Sequence, residues 1–354
     1  MSINNTISGG QSKLVKEVIG KGLCVRCGGC VGLCPYFQYY DGKVIVSDGC
    51  DASTWRCVQV CPRLPYERSA LYETRYDIPE PVGPLGSYLM IVAARSTREE
   101  IRTAAQYGGV VTTLAILALE KGIIRHAILT DKGGNLFPRG ALCNDREEVL
   151  RCAGSRYNGS SSLERLNIAI KEGKEALGFV GLPCQMEALS RMAVSEPDGR
   201  ERESRVSLRL GLFCTWALDY RALRSYLQAK GMTMLPRKYD IPPPPSEVFV
   251  LQWEDHKTEF PLSEVRELIQ PGCMYCQDMT AEFADISVGT LEGEESWNTV
   301  IVRTEKGLDL FNMAVEEGFV EQKKIPQANL DHLSEAASNK IKRALKAKQE
   351  EDNE

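Results

Sequence analysis

From Tyr88 onward, short apolar runs rich in β-branched residues alternate with longer stretches of helical period. Six of the runs read as strands: Tyr88 to Ala94, His126 to Thr130, Leu177 to Gly181, Leu208 to Cys214, Val248 to Trp253 and Thr299 to Arg303. Strands separated by helices predict an α/β fold on an open, largely parallel sheet. One helical stretch is marked by what precedes it: Gly108-Gly109 open an apolar run that ends at Gly122. Residues 1 to about 80 follow no such pattern. They are rich in Cys, Gly and Tyr, which suits loops wound around inorganic clusters, and Pro79-Glu-Pro-Val-Gly-Pro84 reads as a linker. Glu196 to Arg205 reads as a solvated charge run, Pro242 to Pro245 as a stiff loop, and Lys340 to Glu354 as a charged helix or frayed tail.

The chain has 354 residues, enough for a sizeable core beside a small unit held together by metal. Its 43 basic and 48 acidic residues leave a formal charge of -5, so no sequence-wide basic field is available for nucleic acid. Protein and small-molecule partners remain. The 13 cysteines would suggest disulfides in a small secreted domain. No N-terminal apolar signal is present, however, and CxxC spacing favours metal, so a reducing cytoplasm is expected. The longest apolar stretches, Tyr88 to Ala94 and Val110 to Leu119, fall well short of the roughly 18 residues a membrane helix needs, and direct membrane insertion is not expected.

Cys24-Val-Arg-Cys27-Gly-Gly-Cys30-Val-Gly-Leu-Cys34-Pro35 is a full CxxCxxCxxxCP run, followed by Cys50, Cys57 and Cys61-Pro62. Three thiolates at successive threes wrap one iron-sulfur cube, while the Cys-Pro cysteine points away to a neighbouring cluster. Cys24, Cys27, Cys30 and Cys61 are therefore assigned to one 4Fe-4S cluster. The second run departs from the pattern: Asp51 and Thr54 stand where its first two cysteines belong, and Cys50 is one place out of register. Cys34, Cys50 and Cys57 leave two readings, a 4Fe cluster with a non-cysteine fourth ligand or a 3Fe cluster. Four thiolates also suit zinc, but zinc needs only separated pairs. Radical chemistry with adenosylmethionine needs CxxxCxxC, and Phe37 and Leu64 occupy the third positions after the two CxxxC pairs.

Four further cysteines lie in the larger part of the chain: Cys184 in Gly181-Leu-Pro-Cys-Gln185, Cys214 at a strand end, and the pair Cys273-Met-Tyr-Cys276. Loops at the carboxyl ends of strands in an open sheet meet at one crevice, so these thiols can converge. Each alone also fits a buried structural thiol, the reading given to Cys143 and Cys152. With Gly108-Gly-Val-Val-Thr-Thr113, Ala153-Gly-Ser-Arg-Tyr157, Gly211-Leu-Phe-Cys214, and Ala284-Asp-Ile-Ser-Val-Gly289 through Trp297-Asn-Thr-Val-Ile-Val-Arg-Thr304, the chain resembles the β subunits of coenzyme F420-reducing hydrogenases and dehydrogenases, a family of iron-sulfur flavoproteins. The matching segments run in order from about residue 90 to residue 320.

The resemblance implies an α/β chain with an N-terminal ferredoxin-like 4Fe-4S domain over 1–80 and a larger α/β FAD-binding domain over 81–325, and the charge of the remaining residues leaves 326–354 as a charged C-terminal tail. It also implies a 4Fe-4S cluster on Cys184, Cys214, Cys273 and Cys276, for two or three clusters in all, and a hydride exchanged between FAD and the deazaflavin F420. Members serve hydrogenases, formate dehydrogenases, sulfite and glutamate-synthase-type reductases, and reduction of chlorophyll derivatives.

The residues suit a flavin physically. Gly108 and Gly109 let the backbone approach a phosphate, and the helix dipole and free amides favour its negative charge, although tight helix packing asks for the same glycines. Thr112 and Thr113 offer hydroxyls. Arg156 and Tyr157, in a Gly/Ser-rich loop, suit a phosphate clamp and a ring contact, with Trp297 and Thr299 along the isoalloxazine. Solvation is the alternative for the arginine and core packing for the tryptophan. Asp285 caps or binds backbone, and His126, His256 and His332 match no ligand spacing. The function expected is an electron-transfer flavoprotein subunit: FAD splits a hydride into single electrons, the adjacent cluster takes them, and the N-terminal domain passes them to a partner subunit of a hydrogenase, formate dehydrogenase or heterodisulfide-reductase-like complex. Two alternatives stay open, a flavoprotein linked to NAD(P)H or to proteins, and a flavin-free adaptor.

Overall fold

The computed structural model describes residues 10–50, 52, 55–131, 137–232, 236, 238–243 and 246–353. Asp51 and Thr54, and half of the Pro242–Pro245 loop, lie outside the described residues. The strands are β1 (Phe37–Tyr40), β2 (Lys43–Val46), β3 (Met90–Ser96), β4 (His126–Asp131), β5 (Arg139–Cys143), β6 (Leu177–Gly181), β7 (Val206–Leu212), β8 (Lys238–Asp240), β9 (Val248–Gln252), β10 (Lys257–Pro261), β11 (Ile286–Thr290), β12 (Asn298–Val302) and β13 (Val320–Lys323).

Eight of them form one sheet in the order β13-β3-β12-β11-β7-β6-β4-β5. Its centre, β11-β7-β6-β4, is parallel, and both flanks are antiparallel. The sheet is thus mixed rather than largely parallel. The reason lies in loop length: only a few residues separate β4 from β5 and β11 from β12, enough for a hairpin but not for a parallel crossover. The run at Val248 to Trp253 is also placed differently from the sequence reading. As β9 it is the middle strand of a separate antiparallel sheet, β10-β9-β8, which buries Phe249 and Leu251 against Leu218, Leu223 and Leu227.

Alternation along the strands sends side chains to two helical layers. On one face Val180, Leu208 and Leu210 pack with the helix Val110–Glu120, which is buried on almost every side, and with Phe311 of the helix Glu305–Glu316. On the other face Leu177 and Phe179 meet Leu163 and Leu166 of the helix Ser162–Lys171, and Met186 and Leu189 of the helix Pro183–Ala193.

The cysteine-rich segment docks on this second layer, contributing Leu33, Val60, Leu71 and Tyr72 to the same apolar cluster. It also has regular structure that the sequence reading left as loops. β1 and β2 form an antiparallel hairpin around Asp41-Gly42, both at positive φ (43° and 77°) as a tight two-residue turn requires. The helix Arg68–Tyr76 then leads toward residues 79–84. Residues 327–352 form a single helix, Gln327–Asp352, that returns across the loops at the carboxyl ends of the central strands.

Candidate redox site

The Cys24 loop is held from outside by buried polar side chains. Asn167 donates through Nδ2 to the carbonyls of Val31 at 2.8 Å and Gly29 at 3.1 Å, and its Oδ1 accepts from Arg202 at 3.0 Å. Arg191 Nη1 donates to Cys61 O at 2.6 Å and Leu64 O at 2.9 Å. Arg202, within the segment read as solvated charge, is 7% exposed. Its burial follows from a short helix, Gly199–Ser204, that folds its run back onto the core. Cys24, Cys27, Cys30 and Cys61 line one pocket with Leu14, Val18, Val44 and Val60. Burial raises the Cys24 thiol to about 11, and it raises Cys27, Cys30 and Cys61 as well.

Cys57 lies to one side of this group. Burial, then Cys34 and then Cys50 push its thiol up to about 12, and Cys57 itself is among the groups acting on Cys30. On the other side lies Cys184. It occupies the first turn of the helix Pro183–Ala193, whose start is fixed by Leu182 N donating to Gln185 Oε1 and Gln185 Nε2 donating to Ser160 O, both at 2.8 Å. Burial raises its thiol well above the ordinary value, and Cys27, Cys276, Cys214 and Cys273 add to that.

Cys273 sits in the 3-10 turn Pro271–Tyr275 and accepts from Ala217 N at 3.4 Å; Cys276 Sγ donates to Asp278 O at 3.4 Å. Gly272 brings this turn against the first cysteine loop, because a Cβ there would stand 2.0 Å from Leu23 O. Arg63 bridges the two groups. Its Nη1 donates to Gly272 O at 3.1 Å, and although burial opposes its charge, Cys276, Glu187, Cys184 and Cys61 more than offset it. From the C-terminal helix, Lys340 Nζ donates to Cys214 O at 2.5 Å, and Arg343 Nη2 donates to Thr215 O at 2.9 Å.

A cavity of about 610 Å³ opens beside Cys214, along the carboxyl ends of β4, β6, β7 and β11. Gly109, Thr112, Arg156, Tyr157 and Thr299 line it. Gly109 has φ +71° and caps the helix Val110–Glu120. Arg156 is half-buried and lies 5.4 Å from the Tyr239 ring centroid, and Tyr157 OH accepts from Ile241 N at 3.1 Å.

Three expected contacts are not in that lining. Gly108 packs under it, where a Cβ would stand 2.6 Å from Asn298 Oδ1. Thr113 Oγ1 donates to Ser96 Oγ at 2.8 Å within the core. Trp297 packs between Arg95 and Lys323, 4.6 and 4.3 Å from its ring centroid. Asp285 binds backbone, accepting from Arg209 N at 2.8 Å, and pairs with Arg75. Cys143 and Cys152 are buried, with sulfurs 3.7 Å apart.

Residues 91–167 and 174–328 match the N-terminal and C-terminal parts of the family described as coenzyme F420 hydrogenase/dehydrogenase, beta subunit. The chain belongs to this family. It is 34% identical over 276 residues to the coenzyme F420 hydrogenase subunit beta of Methanothermobacter thermautotrophicus, covering 75% of this chain and 97% of that one. It is 32% identical to the same subunit of Methanosarcina barkeri, covering 75% and 93%. With the coenzyme F420-dependent sulfite reductase of Methanocaldococcus jannaschii it shares 31% identity over 94% of this chain and 51% of that protein, a span that takes in the Cys24 run. A chain of the F420-reducing [NiFe] hydrogenase complex from Methanosarcina barkeri superposes with a TM-score of 0.70 at 31% identity, covering 77% of this chain and 95% of that one.

The beta-type chain is thus an oxidoreductase subunit, and among its described residues no helix is long and apolar enough to cross a membrane. Its donor set fits iron-sulfur clusters. Cys57, Cys273 and Cys276 are buried and the other cysteines of the three groups are partly exposed, and among the described residues no three Cys, His, Asp or Glu side chains converge on a single ion. A four-iron cube is larger and takes its thiols from farther apart. Lys340 is 3% exposed and makes no ion pair with a carboxylate among the described residues. A buried ammonium is costly; the Cys276 and Cys214 sulfurs, Asp278 and the Cys273 sulfur are the groups that favour its charge, and thiolates holding a cluster there would supply further counter-charge. The cavity fits a dinucleotide in size, with the start of a helix and an arginine on its wall.

Sequence reasoning missed Asn167, Arg191, Arg202, Arg63, Lys340 and Arg343. The one available signal was position: Arg63 follows Cys61-Pro62 directly, and Arg191 stands four residues after Glu187 on the helix that begins at Pro183-Cys184.

Proposed function

We propose that this chain is an electron-transfer flavoprotein subunit. In this reading it exchanges a hydride between an F420-type deazaflavin and FAD, and relays single electrons through 4Fe-4S clusters to a partner oxidoreductase in the cytoplasm. The observation that carries the reading is the order of the cysteines. Cys24, Cys27, Cys30 and Cys61 line one pocket, Gly272 and Arg63 bring the Cys273 turn against that loop, and Cys214 opens on the cavity.

A flavin, when bound, takes up a hydride as a pair of electrons and gives them up one at a time to an iron-sulfur cluster. The chain's part is to bind, orient and insulate. Gly109 and Thr112, at the start of a helix, would hold the cofactor's phosphates, Arg156 would supply positive charge, and Tyr157 and Thr299 would contact the ring system. Gly108, Thr113 and Trp297 support this wall from behind. Residues 1–80 serve as the ferredoxin-like module, 81–325 as the flavin domain and 326–354 as its cover. The names of the relatives support the deazaflavin as the hydride carrier.

One anaerobic sample tests the reading. A visible spectrum with iron, sulfide and flavin quantified is expected to give one flavin and at least eight irons per chain, and reduced F420 is expected to bleach the flavin. Iron and sulfide without a yellow cofactor would replace the flavoprotein with an adaptor, and bleaching by NAD(P)H alone would replace the deazaflavin.

A further inference from the structure

The family match ends at residue 328, and the helix Gln327–Asp352 lies almost wholly beyond it. That helix nevertheless reaches the most deeply placed cysteine group. Lys340 donates to Cys214 O, and Arg343 reaches Thr215 O and, at 3.5 Å, Cys273 O. Arg343 Nε is buried and has no hydrogen-bond partner among the described residues, and Lys340 Nζ has one carbonyl. Ala337 and Ala344 on the same helix are fully buried, so the helix is seated rather than draped. Its charges therefore belong to the site. A surface helix needing only solubility would turn Lys340 outward, as it does Lys346, whose side chain is 77% exposed.

We propose that the C-terminal helix is an electrostatic cover for the cluster at Cys184, Cys214, Cys273 and Cys276, with Lys340 and Arg343 as positioning residues that raise its reduction potential. This rests on the assignment of a cluster to those four cysteines. One-electron reduction adds a negative charge to the cluster. A fixed cation behind Cys214 and Cys273 stabilises the reduced form more than the oxidised one, and burial limits the screening that would cancel the effect in water. The cover thus holds the cluster nearest the cavity at a higher potential than its thiolates alone would give, so that electrons leave the cavity readily. Neither cation hydrogen-bonds to the other two cysteine groups among the described residues, and those groups feel these charges less.

The test is a redox titration of the whole cluster-loaded protein followed by electron paramagnetic resonance. Lys340→Met is expected to disfavour reduction of one cluster about tenfold or more, a fall of about 59 mV for a one-electron couple. Lys340→Arg is expected to restore it, and Arg343→Gln to move it the same way by less. A purely structural helix predicts lower iron content with unchanged potentials in the clusters that remain, and that result overturns the inference. If Lys340→Met fails to load, Arg343→Gln decides: a lowered potential supports the cover and an unchanged one overturns it. Cys214→Ala separates the two levels of the argument. Retention of all iron in that variant removes the cluster assignment itself, whereas loss of one cluster's iron with unmoved potentials in the lysine and arginine variants removes the cover alone.

Discussion

At the scale of single residues, this site is defined by buried polar groups with several obligations each. Asn167 holds the Gly29 and Val31 carbonyls and is itself held by Arg202. Removing it leaves buried carbonyls unpaired, at about 1–3 kcal/mol. Asn167→Ala is therefore expected to lower the melting temperature and to reduce iron retention while flavin content stays near wild type, both measured on one preparation. Glu282 gives a pH dependence. Burial and then Asp278 push its carboxyl up to about 7, against the opposing pull of Arg68, Tyr72 and Arg303. A carboxyl raised in the folded state loses stability on ionising, so its contribution is whole below the ordinary value of 4.5 and declines as pH rises through about 7. Replacement by Gln is expected to flatten the stability profile between about pH 5.5 and 7.5, by up to about 1.4 kcal/mol per pH unit, in denaturant titrations at fixed salt. An unchanged slope would assign the dependence elsewhere.

At the scale of elements, positions that matter are fixed by helix starts and strand ends. The helix Arg146–Cys152 is capped by Asp145, whose side chain accepts from Glu148 N at 2.9 Å, and it delivers residues 153–157 to the cavity wall. Asp145→Ala is expected to cost about 1 kcal/mol and to weaken flavin retention on dialysis without loss of iron. Much of this level is legible in the sequence. Periodicity located each of the six strands to within a few residues, because each is a continuous apolar run bounded by turn residues. Pairing direction was not legible, since it depends on the lengths of connections whose ends the pattern does not define. The β1–β2 hairpin was legible in Asp41-Gly42, but the surrounding cysteines drew the reading toward loops. Lys340 and Arg202 were illegible for another reason: a buried and a solvated cation look the same in composition, and only the partner across the fold tells them apart.

At the scale of the whole molecule, the proposed relay would run through cysteine groups from the N-terminal segment to Cys214, which lines the cavity beside the larger sheet. The groups come from distant segments, and Gly272, Arg63, Asn167 and Arg191 lock them together. Interrupting the middle group is therefore expected to separate the two ends functionally. Cys24→Ser is expected to keep flavin and its bleaching by the hydride donor but to cut electron delivery to a protein acceptor by at least about tenfold, in stopped-flow measurements against wild type. Delivery at the normal rate would mean that electrons bypass the N-terminal segment.

The long helix that closes over Cys214 and Cys273 also sets an order of events in the cell. Translation delivers Cys184, Cys214, Cys273 and Cys276 before Lys340, and at about 5–20 residues per second the ribosome takes roughly 3–13 s to travel from residue 276 to residue 340. During that interval Cys184, Cys214, Cys273 and Cys276 stand on the nascent chain without the helix that later covers them, and Lys340 and Arg343 close over Cys214 and Cys273 only afterwards.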